Sequence, residues 1–375
     1  MLKKTWKKYR FLLYSTLGLA LLSAAVPSKN SNTFTTNVTK VGAIPNDGKL
    51  DTQAIQKAID QVSKSGGGIV YIPAGTYEVE VNTHGTALIM KSNVHVKLAD
   101  KAIIQLSPNN KSIHRIFLLG NVNKVKLSGG TLIGDRTEHD GTNGEWGHGI
   151  QIYGHATNVE ISNMIFKNFW GDGIEISSPD GKVPDGIKIE KITADNNRRQ
   201  GLSIVAGRNI SVKNSVFKNT HGTGPSHGID LERDAPYDKI LEHVTITHNV
   251  MENNDGYGLA FVYVNSDTIR AENNTIRNNK EGGVFLGNAK KTVVMDNMIV
   301  GNGSKAETDP TNNFGSGIFL NYSSENTIKG NDIDKNYEFG IHALNGVKNN
   351  EFKENKITNH RRAAIELQDY SSDDN

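Results

Sequence analysis

One motif recurs through the second half of this chain and leaves few folds open to it. It is a Gly, an apolar residue, a variable residue and a second apolar residue. The copies are Gly149-Ile150-Gln151-Ile152, Gly173-Ile174-Glu175-Ile176, Gly201-Leu202-Ser203-Ile204, Gly228-Ile229-Asp230-Leu231, Gly258-Leu259-Ala260-Phe261, Gly283-Val284-Phe285-Leu286 and Gly317-Ile318-Phe319-Leu320. Weaker copies follow at Gly340-Ile341 and Ala364-Ile365-Glu366-Leu367. Apolar residues two apart mark a strand with one face buried, so the variable residue faces outwards. Successive copies start 23 to 34 residues apart, the period of a solenoid.

A second strand recurs within most periods, as in Val159-Glu160-Ile161, Ile187-Lys188-Ile189, Ile210-Ser211-Val212 and Val244-Thr245-Ile246. An Asn-bearing turn then follows, as at Asn196-Asn197, Asn253-Asn254 and Asn278-Asn279. Asn tolerates left-handed backbone and can ladder with the Asn of the next coil. Several short strands per period, without an amphipathic helix, favour a parallel β-helix over a leucine-rich repeat. A propeller blade needs about 40 residues or more. Coils longer than the shortest period must bulge their excess as loops, most clearly at 220–225 and 303–313, and such loops often wall a groove.

The first 25 residues stand apart. Lys3, Lys4, Lys7, Lys8 and Arg10 precede an apolar run ending near Ser23-Ala24-Ala25, the pattern of a secretory signal peptide. The run is shorter than the roughly 20 residues of a membrane span, so a membrane is expected only through this segment if it stays uncleaved. Losing its five basic residues turns the formal charge from +2 to −3. Nothing in the remaining chain then calls for nucleic acid. There is no Cys, which excludes disulfides and Cys-ligated metals. The expectation is a secreted or cell-surface bacterial protein, of Gram-positive type, acting as a monomer. Residues 26–375 form its single domain, with an N-terminal cap over about 38–80 and clear coils over 149–369.

Within the cap, Ala54, Ile55, Ala58, Ile59 and Val62 share one helical face, Asp51 offers an N-cap, and Gly66-Gly67-Gly68 ends the helix. Ahead of a solenoid, such a helix would cover the open end of the apolar core. The triple Gly follows the helix instead of leading into it, which argues against phosphate binding. The stretch from Asp47 to Tyr77 resembles the N-terminal segment of many proteins of the pectate lyase and polygalacturonase superfamily. That group includes rhamnogalacturonase-like hydrolases, mannuronan epimerases and phage tailspike depolymerases. With the coils behind it, the resemblance covers nearly the whole chain after the signal. It implies an all-β, single-stranded right-handed parallel β-helix with an N-terminal capping helix, and polysaccharide as the ligand. It does not name the reaction, since one fold hosts several chemistries.

Equivalent residues on neighbouring coils lie about 4.8 Å apart. The outward column reads Gln151, Glu175, Ser203, Asp230, Ala260, Phe285, Phe319. Glu175 and Asp230, two coils apart, are separated by roughly 9–10 Å, near the about 6.5–9.5 Å of an inverting glycosidase. Glu232 and Asp172 are the substitute acids. Arg199 would pair with these carboxylates, bind a uronate carboxylate or act as the base of an elimination. His148 and His227 precede the motif Gly on two coils and, with Arg198, Gln200, Arg233, Trp146 and Tyr257, are candidate substrate contacts. Asp234, Tyr237 and Trp170 are further candidates for the walls.

Gly147-His148-Gly149 matches one polygalacturonase motif, but the only Asp-Asp pair is Asp373-Asp374 in the tail, so that mechanism does not transfer. His227-Gly228-Ile229-Asp230-Leu231-Glu232 is similar to the Tyr-Gly-Phe-Asp-Pro-His-Glu of mannuronan epimerases at the Gly and Asp alone. No cofactor is firmly implied. Ca²⁺ stays open among the Asp and Asn side chains, although no EF-hand-like motif is present. The expected activity is hydrolysis of glycosidic bonds in an extracellular, uronate-containing polysaccharide. The alternatives are a polysaccharide lyase or C5-epimerase, and a non-catalytic glycan-binding surface protein.

Overall fold

The computed structural model describes residues 33–179, 181–233, 239–309 and 315–368. The segment 1–25, Asp234 and Tyr237 lie outside them. The strands return, coil after coil, to three parallel sheets of 12, 11 and 11 strands. Beyond the first coil each sheet takes every third strand in chain order. Crossovers between parallel strands are right-handed, and the molecule is a right-handed parallel β-helix. Coiling begins well before the first motif copy, with Gly68–Ile72, Gly75–Val79 and Thr86–Ile89 each contributing to one sheet.

The motif's apolar positions build the core. Ile150, Ile174, Leu202, Ile229, Leu259, Val284, Ile318 and Ile341 stand in one unbroken register and are fully buried. Each such side chain contributes roughly 1.5–3 kcal/mol by leaving water. The motif Gly has its own cause. A Cβ on Gly173 would lie 2.7 Å from the carbonyl oxygen of Gly201, and one on Gly201 2.4 Å from that of Gly228. The backbones approach too closely there for any side chain.

The paired asparagines divide two tasks. Asn253 and Asn278 adopt left-handed backbone with φ of 57° and 56°, which turns the chain. The next residue in each pair is buried and joins a ladder. The N–H of Asn254 donates to Asn279 Oδ1 at 3.1 Å, that of Asn279 to Asn302 Oδ1 at 3.0 Å, and that of Asn302 to Asn336 Oδ1 at 3.0 Å. A parallel ladder runs through Asn249, Asn274, Asn297, Asn331 and Asn355. Buried backbone donors at the corners thus find partners without a sheet.

The helix Thr52–Lys64 buries Ile55, Ala58, Ile59 and Val62 in the same core. It packs against Thr35–Asn37, Gly68–Ile72, Thr86–Ile89 and Val94–Leu98. Asp51 does not cap it by a side-chain hydrogen bond. Its Oδ1 instead accepts the backbone N–H of Ile44 at 2.8 Å, tying the preceding turn to the helix start.

Candidate active site

The register places Gln151, Glu175, Ser203 and Asp230 side by side on successive strands of one sheet. Around them the side chains interlock. Asp172, which precedes the motif Gly, is fully buried. Its Oδ2 accepts the Ser203 hydroxyl at 2.8 Å and faces Arg199 Nη1 at 3.3 Å. Burial pushes its carboxyl pKa up, against the pull of Arg199 and His148. For Arg199, burial works against the charge, but Asp172, Asp230, Glu145 and Glu232 outweigh it and hold the guanidinium charged. Its Nε also lies 3.7 Å from Glu145, while Nη2 makes no hydrogen bond among the described residues.

His148 stands between the two carboxylates. Its Nδ1 accepts the backbone N–H of Asp172 at 3.4 Å, so the neutral ring carries its proton on Nε2. That atom points at Glu175 Oε2, 3.8 Å away. Burial lowers the pKa of His148 and keeps the ring neutral. Glu175 Oε2 accepts Gln151 Nε2 at 2.6 Å and Ser177 Oγ at 3.1 Å. The side chains of Glu175 and Arg199 are 15% and 17% exposed, enough for a ligand to reach.

Asp230 occupies the column as its spacing required, yet it is only 2% exposed. Its Oδ2 accepts Gln200 Nε2 at 2.8 Å, and Gln200 Oε1 in turn accepts the backbone N–H of His227 at 2.8 Å. His227 Nδ1 accepts the backbone N–H of Tyr257 at 2.9 Å. Burial, helped by Arg199, pushes the His227 pKa down to about 3. Tyr257 stacks on Phe285 with centroids 5.1 Å apart, and burial pushes its phenol pKa up. His148, His227, Gln200 and Tyr257, expected as substrate contacts, are all buried, and ring or amide atoms of the first three bond neighbouring residues.

The loop wall corrects two further expectations. Arg198 lies 3.8 Å from the centroid of the Trp170 ring and donates to the carbonyl of Gly144 at 3.0 Å, so it braces the wall. His139 also stacks on Trp170 at 4.1 Å, and Trp170 is buried. Trp146 is 42% exposed and keeps its ring open to a ligand. Glu232 is partly exposed on the strand Ile229–Glu232. Arg233 donates its Nε–H to the carbonyl of Lys239 at 2.9 Å.

Two residues escaped the sequence reading. Arg115 pairs in register with His148, is buried, and donates to Thr86 Oγ1 at 3.2 Å. Burial lowers its pKa and Glu175 supports its charge. Ile116-Phe117-Leu118-Leu119-Gly120 is a continuous apolar run without the leading Gly of the motif, so the coil bearing Arg115 was hidden. Glu145 lies in a loop, where spacing carries no register.

Residues 157–374, more than half of the chain, match the family model described as periplasmic copper-binding protein (NosD). The chain belongs to the NosD family. This NosD-family chain is 28% identical over 316 residues to the uncharacterized protein YclG of Bacillus subtilis (strain 168), covering 77% of this chain and 47% of that protein. It is 28% identical over 249 residues to mannuronan C5-epimerase AlgE1 of Azotobacter vinelandii, covering 58% and 18% respectively. Among solved structures, the A-module of Azotobacter vinelandii mannuronan C-5 epimerase AlgE4 superposes with a TM-score of 0.64 at 20% identity, covering 90% of this chain and 98% of that one. At that identity the likeness speaks for the fold. The chain spans less than half the length of these curated relatives.

Among the described residues of 157–374, no three His, Cys, Asp or Glu side chains bring ligand atoms together, and the chain has no Cys. The one such group in the described residues, His114, Asp135 and His139, precedes that segment.

Proposed function

We propose that the protein acts on a uronate-containing polysaccharide by removing the proton next to the sugar carboxylate, with Glu175 as base. The observation that carries this reading is that Glu175 and the charged Arg199 are both reachable around the buried Asp172 and His148. Asp172 and Ser203 engage Arg199 Nη1, which leaves Nη2 for a substrate carboxylate. Arg199 would neutralise that carboxylate as Glu175 takes the C5 proton. The electron pair then either expels the O4 leaving group, which is elimination, or collects a proton on the opposite face, which is epimerisation. Sequence likeness to a mannuronan epimerase supports a polyuronate as substrate.

Hydrolysis is the second reading, and the outward register of Glu175 and Asp230 favours it. Enclosure of Asp230 weakens it, and Glu232 would then supply the acid. The deciding experiment incubates the protein with a panel of polyuronates in deuterated buffer. Absorbance near 235 nm marks elimination, and deuterium at C5 without new reducing ends marks epimerisation; either supports Glu175 and Arg199 in the assigned roles. New reducing ends without absorbance would overturn that reading for hydrolysis. Binding without any turnover would leave a glycan-binding protein.

A further inference from the structure

A buried cluster sits one coil before the candidate active site. His114 lies on the strand Ile113–Gly120, Asp135 just follows the strand Thr131–Ile133, and His139 stands four residues further on. Their side chains are 0%, 0% and 1% exposed. His114 Nδ1 lies 2.8 Å from the carbonyl of Lys111, an acceptor, so Nδ1 must carry a proton. In a neutral ring Nε2 then offers only a lone pair. Yet Nε2 faces Asp135 Oδ1 at 3.1 Å, which is also an acceptor. Both ring nitrogens of His114 thus face oxygen acceptors in a dry site.

We propose that His114, Asp135 and His139 bind a divalent d-block cation, Zn²⁺ or Cu²⁺. One ligand atom from each lies within 4.8 Å of the others, and atoms bound to one tetrahedral ion stand about 3.4 Å apart. Two imidazole nitrogens and one carboxylate oxygen suit these ions, where Ca²⁺ and Mg²⁺ demand oxygen alone. The outer partners are those such a site uses. The other nitrogen of His114 is anchored on a backbone carbonyl, and Asn109 Nδ2 donates to Asp135 Oδ2 at 2.7 Å. Asp135 Oδ2 also faces His139 Nδ1 at 2.7 Å, so the three ligands already share one carboxylate.

The site would brace the active-site wall. His139 stacks on Trp170, Trp170 Nε1 donates to the carbonyl of Gly144 at 3.1 Å, and the adjoining Glu145 faces Arg199. None of the ligands belongs to the proposed sugar chemistry, so the two proposals fail separately.

The test uses the full chain, freed of metal by chelation, titrated with Zn²⁺ or Cu²⁺ alone in a calorimeter. The expected result is one ion per chain, a higher Tm when loaded, and quenching of Trp fluorescence by Cu²⁺. His139→Phe keeps a ring on Trp170 but removes a ligand, and should weaken binding at least about tenfold. Anomalous diffraction from Zn²⁺-soaked crystals of the unaltered protein should show a peak bounded by the three side chains, which decides the matter if the variant does not fold. No binding below about 1 mM, equal affinity in His139→Phe, or a peak elsewhere would overturn the proposal. The cluster would then be a proton-bridged hub.

Discussion

Along one sheet the outward face changes chemistry at Ala260. Before it, Gln151, Glu175, Ser203 and Asp230 engage charged and polar partners. After it, Phe285 and Phe319 stack with centroids 5.6 Å apart, and Phe319 meets His342 at 5.3 Å. The backbone and register are the same in both halves. The polar half interlocks through pairs that differ from coil to coil, whereas the later half repeats the same Asn and aromatic contacts. Repetition serves stability, and departure from repetition gathers chemistry. The stacked rings turn their faces to one another, so they offer a sugar little more than edges.

The largest effect expected from breaking this contrast is on turnover. Glu175→Gln should cost about 10²–10⁴-fold in kcat with an unchanged far-UV spectrum; full activity would place the base elsewhere. Next in size, Asp172→Ala leaves Arg199 without its buried partner and should cost roughly 3–5 kcal/mol, read by urea denaturation. An effect below 1 kcal/mol on the scale of surface pairs would show that the network does not hold the fold.

In the repetitive half, Asn279→Ala strips the partner from the N–H of Asn254 and should cost about 1–3 kcal/mol for that buried donor. Activity per folded molecule should stay constant, and a loss of activity would couple the halves. A pH-dependent contribution, which grows as the solution is made more acid, comes from His227. Unfolded, it takes up a proton below its ordinary pKa of 6.5, while the folded ring resists until about 3. Stability is thus full above pH 6.5 and falls as pH drops towards 3, by up to about 1.4 kcal/mol per pH unit for this residue. His227→Gln should flatten part of that slope in a series of Tm measurements. Phe319→Ala should lower stability by the about 0.5–1.5 kcal/mol of aromatic stacking together with the cost of its buried area, and its effect on KM should be nil. A raised KM would make the aromatic half part of the sugar cleft.

Much of this was legible in the residues. A strand period of two and a coil period of 23 to 34 fix which side chains stack, so Glu175, Ser203 and Asp230 fell into one column before any coordinates. Asn at the corners foretold both the left-handed turns and the ladder. What stayed hidden depends on loops and on depth. Periodicity shows that Asp230 points outwards, but not that Gln200 and its surroundings enclose it. Arg115 sits in a coil without the motif Gly, and His139 reaches His114 through a loop whose path no spacing dictates. Asp51 was read as a helix cap because its position is right for one, while the competing N–H of Ile44 was invisible.

The corner asparagines also set an order in time. Each ladder N–H donates forwards, to an amide oxygen 23 to 34 residues later in the chain. A polypeptide made from its N-terminus therefore finishes a coil only after the following one has been synthesised. The nascent end stays one rung short of closure throughout elongation, and a pause there would leave one polar corner wet rather than a whole sheet unmade.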